Sequence, residues 1–210
     1  MASRCFYFHN TYSESRSKYA VFIPNALTVV VGHNGYGKTS YISGLETHLK
    51  RKGIEYIKWS DSANGRTNGM NQFLWAGDNE GVASMAFHSE GQAMMASFGR
   101  ICIQECGRKT RLAKEGKLKE LFVIIDQLDS GLDVYWINDI KRLFKKTIIP
   151  NMNKYGVTVY VVMTANSYEL AKGEYCFDPV TRRGVIFNSY TEYYDYIAAQ
   201  YKNQKDEEGE

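Results

Sequence analysis

The chain lacks the features that direct a protein into a membrane or a secretory pathway. No apolar run approaches the roughly eighteen residues of a membrane-spanning helix, and Met1–Tyr7 has no apolar signal segment. Only four cysteines occur. Cys102 and Cys106 are four residues apart, without a histidine or a second cysteine pair at metal-ligand spacing. We therefore predict reduced thiols, with a metal-binding pair as the alternative, and we expect a cytoplasmic protein.

The chain also lacks a strong charge of one sign, an internal repeat and an evident linker. Its net charge of +3 neither requires nor excludes nucleic acid. A length of 210 residues suffices for one well-buried core but is short for two domains. We therefore predict a single domain over residues 1–202, followed by a charged, disordered tail over residues 203–210.

Residues 32–39 match the phosphate-binding pattern G-x-x-x-x-G-K-[ST]. The pattern lies between a predicted strand, Ala26–Val31, and a predicted helix, Thr39–Lys50, which is the context that it requires. Glycines let the loop N–H groups converge on phosphates, and the positive end of the helix points at the same anion. A glycine-rich turn with a chance lysine is the alternative. We predict nucleotide contacts from Gly32, His33, Asn34, Gly35, Tyr36, Gly37, Lys38, Thr39 and Ser40, with Lys38 on the β and γ phosphates and Thr39 on Mg²⁺.

A second motif, Ile124–Asp133, is an apolar run that ends in acidic residues. Asp126 lies where enzymes with the first motif keep a second residue that holds Mg²⁺. Gln127 lies where many of them carry a glutamate that activates the attacking water. A glutamine can hold a water but cannot accept its proton. The pair of motifs thus predicts an ATP and Mg²⁺ site with an altered catalytic position.

The remaining pattern alternates strands with helices, which indicates an α/β fold. We predict a P-loop NTPase core with a largely parallel sheet, N-terminal antiparallel strands and a C-terminal hairpin plus helix. The predicted strands are Arg4–His9, Lys18–Ile23, Ile54–Trp59, Leu121–Ile125, Val157–Met163, Glu174–Phe177 and Gly184–Phe187. The predicted helices are Ser89–Glu105, Val134–Ile149 with Pro150 as its stop, and Tyr190–Tyr201.

Over residues 1–188, the order of motifs resembles the ABC-type ATPases, especially the soluble branch that includes SMC and recombination-repair ATPases. Residues 32–40 are similar to that family's G-x-N-G-x-G-K-[ST]-[ST]. Ser130–Asp133 matches the family's dimer-contacting D-loop, and Ser89–Gln92 resembles a variant of its L-S-G-G-Q signature. A helix cap is the alternative for Ser89.

The resemblance implies a homodimer that holds two ATP molecules head to tail. Ser89 and Gly91 would contact the γ-phosphate bound by the other subunit, Asp133 would couple the sites, and Gln72 would be a further Mg²⁺ ligand. A polar loop glutamine is the alternative for Gln72. Such proteins act as nucleotide-timed switches for another protein subunit, often a nuclease or a nucleic-acid complex.

Three departures from the family pattern are visible. Gln127 replaces the catalytic glutamate, and Ala165 stands where a histidine usually senses the γ-phosphate, with Asn166 as its candidate replacement. The segment between Thr39 and Ser89 is too short for coiled-coil arms or a full helical subdomain, which argues against an SMC-type clamp and a transporter motor. Gln127 indicates either a naturally slow ATPase or a Glu→Gln change that traps the ATP-bound state. The intact surroundings favour the latter.

Several alternatives stay open on sequence alone. The chain is either an ATPase switch or an ATP-held scaffold or sensor that scarcely hydrolyses. A small-molecule kinase would give Ser130–Asp133 no role, and no N-K-x-D motif for a GTPase is present. The basic segment Arg108–Lys119 is either a solvated face or a nucleic-acid contact. Candidates for stacking on adenine are Tyr7, Phe8, His9 and Tyr12, with core packing as the alternative for the first three.

Overall fold

The computed structural model describes residues 3–9, 18–24, 26–64, 71, 73–87, 89–130 and 132–208. Its strands are β1 Ser3–His9, β2 Lys18–Pro24, β3 Leu27–Val30, β4 Tyr56–Ser60, β5 Glu120–Asp126, β6 Thr158–Thr164, β7 Tyr175–Phe177 and β8 Gly184–Val185. Its helices are α1 Lys38–Lys52, α2 Asp61–Asn64, α3 Asn79–Phe87, α4 Glu90–Phe98, α5 Gln104–Lys114, α6 Val134–Leu143, α7 Ile149–Asn153, α8 Tyr168–Ala171 and α9 Tyr190–Glu208.

Six strands form the central sheet, in the order β4-β5-β6-β3-β7-β8. The first five run parallel, and only the β7–β8 hairpin pairs antiparallel. Strands β1 and β2 form a separate antiparallel pair. The predicted α/β class, with its largely parallel sheet, N-terminal antiparallel strands and C-terminal hairpin plus helix, is confirmed.

Helices cover both faces of the sheet, because the central strands are apolar on both sides. On one face Val30 and Ile124 pack with α1 residues such as Leu45. On the other face Val29 and Ile125 pack in a larger core with residues from α4 to α8. Neighbouring residues point to opposite faces of a strand, which explains why the apolar runs are continuous. The carboxyl ends of β3, β5 and β6 therefore meet at one edge.

Several predicted boundaries differ from the structure by a few residues; β8, for example, ends at Val185 and not at Phe187. Three helices extend further than predicted. The helix that begins at Glu90 continues through a π turn at Gly99–Ile103 and ends at Lys114, so part of the basic segment is helical. The helix from Val134 likewise passes through a π turn into α7. Pro150 directly follows the π turn Phe144–Ile148, where the regular i→i−4 hydrogen bonding is already interrupted, and the prediction that it stops the helix was wrong. Helix α9 reaches Glu208, inside the predicted disordered tail.

No helix within the part of the chain that the structure describes is long and apolar enough to cross a membrane.

Candidate functional site

The loop between β3 and α1 has the backbone shape that its glycines predict. Gly37, at the N-terminal end of α1, has φ 82°, a left-handed conformation that favours glycine. A Cβ at Gly32 would lie 2.5 Å from Cδ1 of Tyr36, so the buried tyrosine ring occupies the space that a side chain at Gly32 would need. The loop is therefore closed on its inner side by Tyr36 and open toward Asn34 and Gly35, which are exposed.

Within the described residues, no side-chain cap bonds to the N-terminus of α1. Gly37 provides no side-chain cap, and the first turn contains no acidic residue. The first N–H groups of an α-helix have no partner within the helix, and the helix dipole favours an anion at this end. Together these features fit a phosphate group, since an anion would supply the missing acceptors.

Lys38 places its positive charge directly under the loop. Its Nζ donates to the carbonyl oxygens of Gly32 at 2.6 Å and His33 at 2.9 Å, and the residue is only 7% exposed. Burial lowers the pKa of Lys38, while the negative charges of Asp129 and then Asp126 oppose that shift. Lys38 is therefore a buried ammonium under the loop, within electrostatic reach of Asp129 and Asp126.

The end of β5 supplies the first of these carboxylates. Asp126 is 3% exposed, and its Oδ1 accepts a 2.7 Å hydrogen bond from the hydroxyl of Thr164 at the end of β6. The same Thr164 oxygen accepts the backbone N–H of Gln127 at 2.8 Å. Gln127 has φ 61°, which is unusual for a residue with a side chain and costs about 1 kcal/mol or more.

Asp129 lies in a short 3₁₀ turn, Leu128–Ser130, that follows β5. Its Oδ2 accepts the backbone N–H groups of Asn166 and Ser167, both at 2.7 Å. Asn166 and Ser167 belong to the loop that follows β6. This loop also contacts β3, because the N–H of Ala165 donates to the carbonyl of Val30 at 3.0 Å. Asp129 therefore belongs to the same edge of the sheet as the loop.

Sequence reasoning assigned no role to Thr164 or Asp129. The signal for Thr164 is a hydroxyl directly after the apolar run of β6, where strand ends carry functional side chains in parallel sheets. The signal for Asp129 is a further acid within the second motif. Asn166, the candidate replacement for the family histidine, has its Nδ2 3.5 Å from Oδ1 of Asp129, and Ala165 is fully buried.

The predicted Mg²⁺ ligands have suitable chemistry at this edge. Thr39 is exposed in the first turn of α1, and Asp126 offers a carboxylate at the end of β5. Hydroxyl, carboxylate and phosphate oxygens are the donors that Mg²⁺ prefers. Gln72 lies outside the described residues. Within those residues no group of three or more His, Cys, Asp or Glu side chains could hold a metal ion. Mg²⁺ bound together with phosphates does not need such a group, because phosphate and water oxygens supply most of its ligands.

Ser89 and Asp133 both act as helix caps in this structure. The hydroxyl of Ser89 accepts the N–H of Gln92 at 3.4 Å, and Oε1 of Gln92 accepts the N–H of Ser89 at 3.1 Å, which makes a capping box at α4. Asp133 caps α6 by accepting the N–H of Trp136 at 3.0 Å. Both residues are exposed, so each cap faces outward, as a role toward a second subunit would require.

Helix α9 reaches the phosphate loop through an aromatic contact. The ring of Tyr201 meets that of His33 edge to face, with centroids 5.5 Å apart. The helix is anchored by fully buried Asp178, which accepts hydrogen bonds from the hydroxyl of Tyr196 and Nε2 of Gln200, both at 2.7 Å. This contact was not predicted from the sequence, because it joins residues far apart in the chain.

The basic segment Arg108–Lys119 is partly neutralised by acids. Ion pairs join Arg108 to Glu105 at 2.9 Å, Lys109 to Glu55 at 2.6 Å and Lys117 to Glu115 at 2.7 Å. These pairs weaken the electrostatic case for nucleic acid and favour a solvated face, since a paired cation releases fewer counterions on binding phosphate. Of the candidates for adenine stacking, Tyr7, Phe8 and His9 lie in β1, and Tyr12 falls outside the described residues.

Comparison with known proteins leaves the family open. No protein-family model matches the chain, and no curated protein matches it. Among solved structures, it is similar to the pCW3 conjugation coupling protein TcpA, determined in a monomer form with ATPγS. The identity is 13% and the TM-score 0.38, over 82% of this chain and 54% of that chain. The chain thus spans about half the length of that protein, and the likeness is too weak to carry an argument about function.

Proposed function

We propose that the chain binds ATP with Mg²⁺ at the loop Gly32–Thr39 and hydrolyses it slowly. One observation carries this proposal. The uncapped N-terminus of α1 and the buried ammonium of Lys38 lie at the same sheet edge as Asp126. Donors for an anion and a carboxylate for a cation are thus assembled side by side, as a nucleotide triphosphate with its metal ion requires.

Each residue of the site has a defined part in this reaction. The loop N–H groups hold the β and γ phosphates. Lys38 exchanges its bonds to the carbonyls of Gly32 and His33 for bonds to phosphate oxygens. Thr39 and Asp126 would hold Mg²⁺, which supplies neutralisation of the developing phosphate charge. Gln127 orients a water through its side-chain carbonyl, but as a neutral amide it leaves the water without strong activation.

We further propose an ABC-type arrangement in which Mg-ATP joins two copies of the chain. The support is the outward position of the caps at Ser89 and Asp133, together with the matching order of motifs. Ser89 and Gly91 of one copy would complete the phosphate site of the other, and Asp133 would couple the two sites. The dimer would then act as a nucleotide-driven switch for another protein subunit, such as a nuclease or a component of a nucleic-acid complex.

A second candidate function is an ATP-held scaffold or sensor that scarcely turns over. The observation that favours it is Gln127 itself, held by its N–H on Thr164 in a left-handed conformation. The backbone of Gln127 is held in place, but its side-chain amide cannot activate a water, so bound ATP would be retained and not hydrolysed. Comparison of ATP affinity with the rate of phosphate release distinguishes the two functions.

The binding proposal is tested by calorimetry with Mg-ATP on the unaltered chain and on Lys38→Ala. Loss of a charge-assisted contact to phosphate is worth roughly 1.5–3 kcal/mol, so affinity should fall at least about tenfold. Lys146→Ala is the matched control, because Lys146 is an exposed lysine outside the site. This variant should bind ATP with the affinity of the unaltered chain. Equal ATP affinity in all three proteins would reject the P-loop assignment.

A further inference from the structure

The two carboxylate oxygens of Asp129 are held to different degrees. Its Oδ2 accepts the N–H groups of Asn166 and Ser167 at 2.7 Å, whereas the contact of Oδ1 within the described residues is the 3.5 Å one to Nδ2 of Asn166. Asp129 is half-buried at the same sheet edge as the loop. One oxygen thus fixes the side chain, and the other can accept a further hydrogen bond.

The position of Asp129 is determined by the loop that follows β6. Thr164 binds Asp126, Ala165 binds Val30 beside the phosphate loop, and Asn166 binds Asp129. Three successive residues therefore connect the metal-binding acid, the phosphate-loop strand and Asp129. The negative charges of Asp129 and Asp126 both act to raise the pKa of Lys38 against the effect of burial, so both carboxylates lie within electrostatic reach of that lysine.

We propose that the carboxylate of Asp129 takes the proton of the attacking water in this chain, a role that Gln127 cannot fill. The inference rests on the proposed ATPase function. The water oxygen bonds to the γ-phosphorus as the bond from that phosphorus to the bridging oxygen breaks. ADP leaves with the electron pair of that bond, and Oδ1 of Asp129 accepts the water proton before releasing it to solvent. The products are ADP, inorganic phosphate and one proton.

A proton-accepting role requires the negative charge of Asp129, whereas a purely structural role does not. As a holder of the loop, Asp129 needs only an acceptor for two N–H groups, and an asparagine carbonyl also provides one. As a proton acceptor, it needs the carboxylate, and the amide would fail. Asp129→Asn therefore separates the two roles with little change in shape.

The test measures phosphate release at saturating Mg-ATP, together with ATP affinity, for the unaltered chain and Asp129→Asn. Loss of a general base lowers a rate by about 10²–10⁴-fold, so kcat should fall by at least about 10²-fold while the Kd for ATP changes less than about threefold. Asp139→Asn is the matched control, since Asp139 is exposed on α6 and pairs only with Arg142 among the described residues. Its kcat should equal that of the unaltered chain.

The same Asp129→Asn substitution, made in the Gln127→Glu variant, tests whether the loss of kcat is specific to proton transfer. In Gln127→Glu a new carboxylate is present, so adding Asp129→Asn should cost much less in kcat than it does beside Gln127, as expected for two groups that share one task. An unchanged kcat in Asp129→Asn would overturn the proposal. So would an equal loss in both backgrounds, or ATP binding without measurable turnover in the unaltered chain. Absence of ATP binding would instead reject the proposed function, and the inference with it.

Discussion

Thr164 donates its hydroxyl hydrogen to Asp126 across 2.7 Å, at the ends of the neighbouring strands β6 and β5. Both residues are buried, and the hydroxyl oxygen accepts the N–H of Gln127 in turn. A single side chain therefore orients the carboxylate of Asp126, the proposed metal ligand, and holds the backbone of Gln127, the proposed position of the water. Because strand β6 separates β5 from β3, Thr164 also lies between the acidic motif and the phosphate loop.

Replacement of Thr164 by valine should weaken both the fold and the site. Valine keeps the shape but removes the donor to Asp126 and the acceptor for Gln127, and an unsatisfied buried polar group costs about 1–3 kcal/mol. We expect the free energy of unfolding in urea to fall by roughly that amount, and Mg²⁺ to lose much of its effect on ATP affinity. Thr164→Ser is the control that keeps the hydroxyl. Identical Mg²⁺ dependence in the valine and serine variants would contradict this role.

Local patterns predicted the framework of the site, because each depends on residues close together in the chain. The glycine spacing of residues 32–37 and the apolar run before Asp126 are of this kind. The partners of Asp129 and the contact of Tyr201 with His33 could not be predicted, since they depend on strand order and on the return of α9 over the sheet edge. The metal, catalytic and signature roles themselves stay predictions.

Two of the three helices that extend further than predicted do so for identifiable physical reasons. Pro150 directly follows a π turn, where the regular i→i−4 bonding is already interrupted, so the helix continues past it to Asn153. Residues 202–208 are charged, which suggested disorder, but lysine, glutamine and glutamate are also good helix formers. Once α9 is anchored on Asp178, those residues extend an existing helix without a new nucleation step.

Mg-ATP should convert the monomer into a dimer, and Gly91→Arg should prevent that conversion. Gly91 lies in the first turn of α4, beside the outward-facing cap of Ser89. An arginine there would occupy the space for the other subunit's γ-phosphate but leave the chain's own loop intact. Light scattering with and without Mg-ATP measures the mass, and calorimetry measures ATP binding.

Gly107→Arg provides the matched control for that experiment. Gly107 is exposed in α5, and a Cβ added there has no atom within 4 Å. This variant should dimerise with ATP like the unaltered chain. A mass that is the same with and without ATP in the unaltered chain would speak against the nucleotide sandwich, and dimerisation of Gly91→Arg would reject the role of the α4 end.

Stability should depend on pH through Glu46 on α1. Partial burial alone would raise its pKa, but hydrogen bonds from Lys50 and Lys58, both at 2.7 Å, lower it to about 2 from 4.5. A carboxyl whose pKa is lower in the folded state stabilises the fold above its unfolded pKa, and this stabilisation is lost as pH falls from about 4.5 to 2.

Glu46→Gln should therefore lower the free energy of unfolding at pH 7 by about 1–2 kcal/mol after solvent screening, and by much less near pH 2.5. Urea unfolding at the two pH values measures the difference. Glu80→Gln is the control, because the Glu80 side chain is 92% exposed and, among the described residues, forms one ion pair, with Arg100 at 3.5 Å. A deficit of Glu46→Gln that is the same at both pH values would show that the carboxylate charge does not stabilise the fold.

The clearest kinetic prediction concerns Gln127→Glu. The left-handed backbone at this position is held by the N–H bond to Thr164, which does not depend on the side chain, so the fold should be retained. A glutamate adds a proton acceptor at the proposed position of the water, so kcat should rise, although by less than the roughly 10²–10⁴-fold of a general base added to a site without one, because Asp129 already accepts the proton in our proposal. Binding of ATP should weaken slightly, because one more negative charge then faces the γ-phosphate. The ATP-held dimer should also become shorter-lived as turnover proceeds.

Phosphate release at saturating Mg-ATP measures this effect, with Gln127→Asn as the control. Asparagine tolerates the left-handed backbone and keeps the amide, so its rate should stay as low as that of the unaltered chain. A high rate only in Gln127→Glu would locate the attacking water beside residue 127. Equal rates in all three proteins would mean that this position does not touch the water, and the second motif would then have to be aligned differently. Because Asp129 is the acceptor proposed for the unaltered chain, the rise in rate should also be accompanied by a loss of dependence on Asp129.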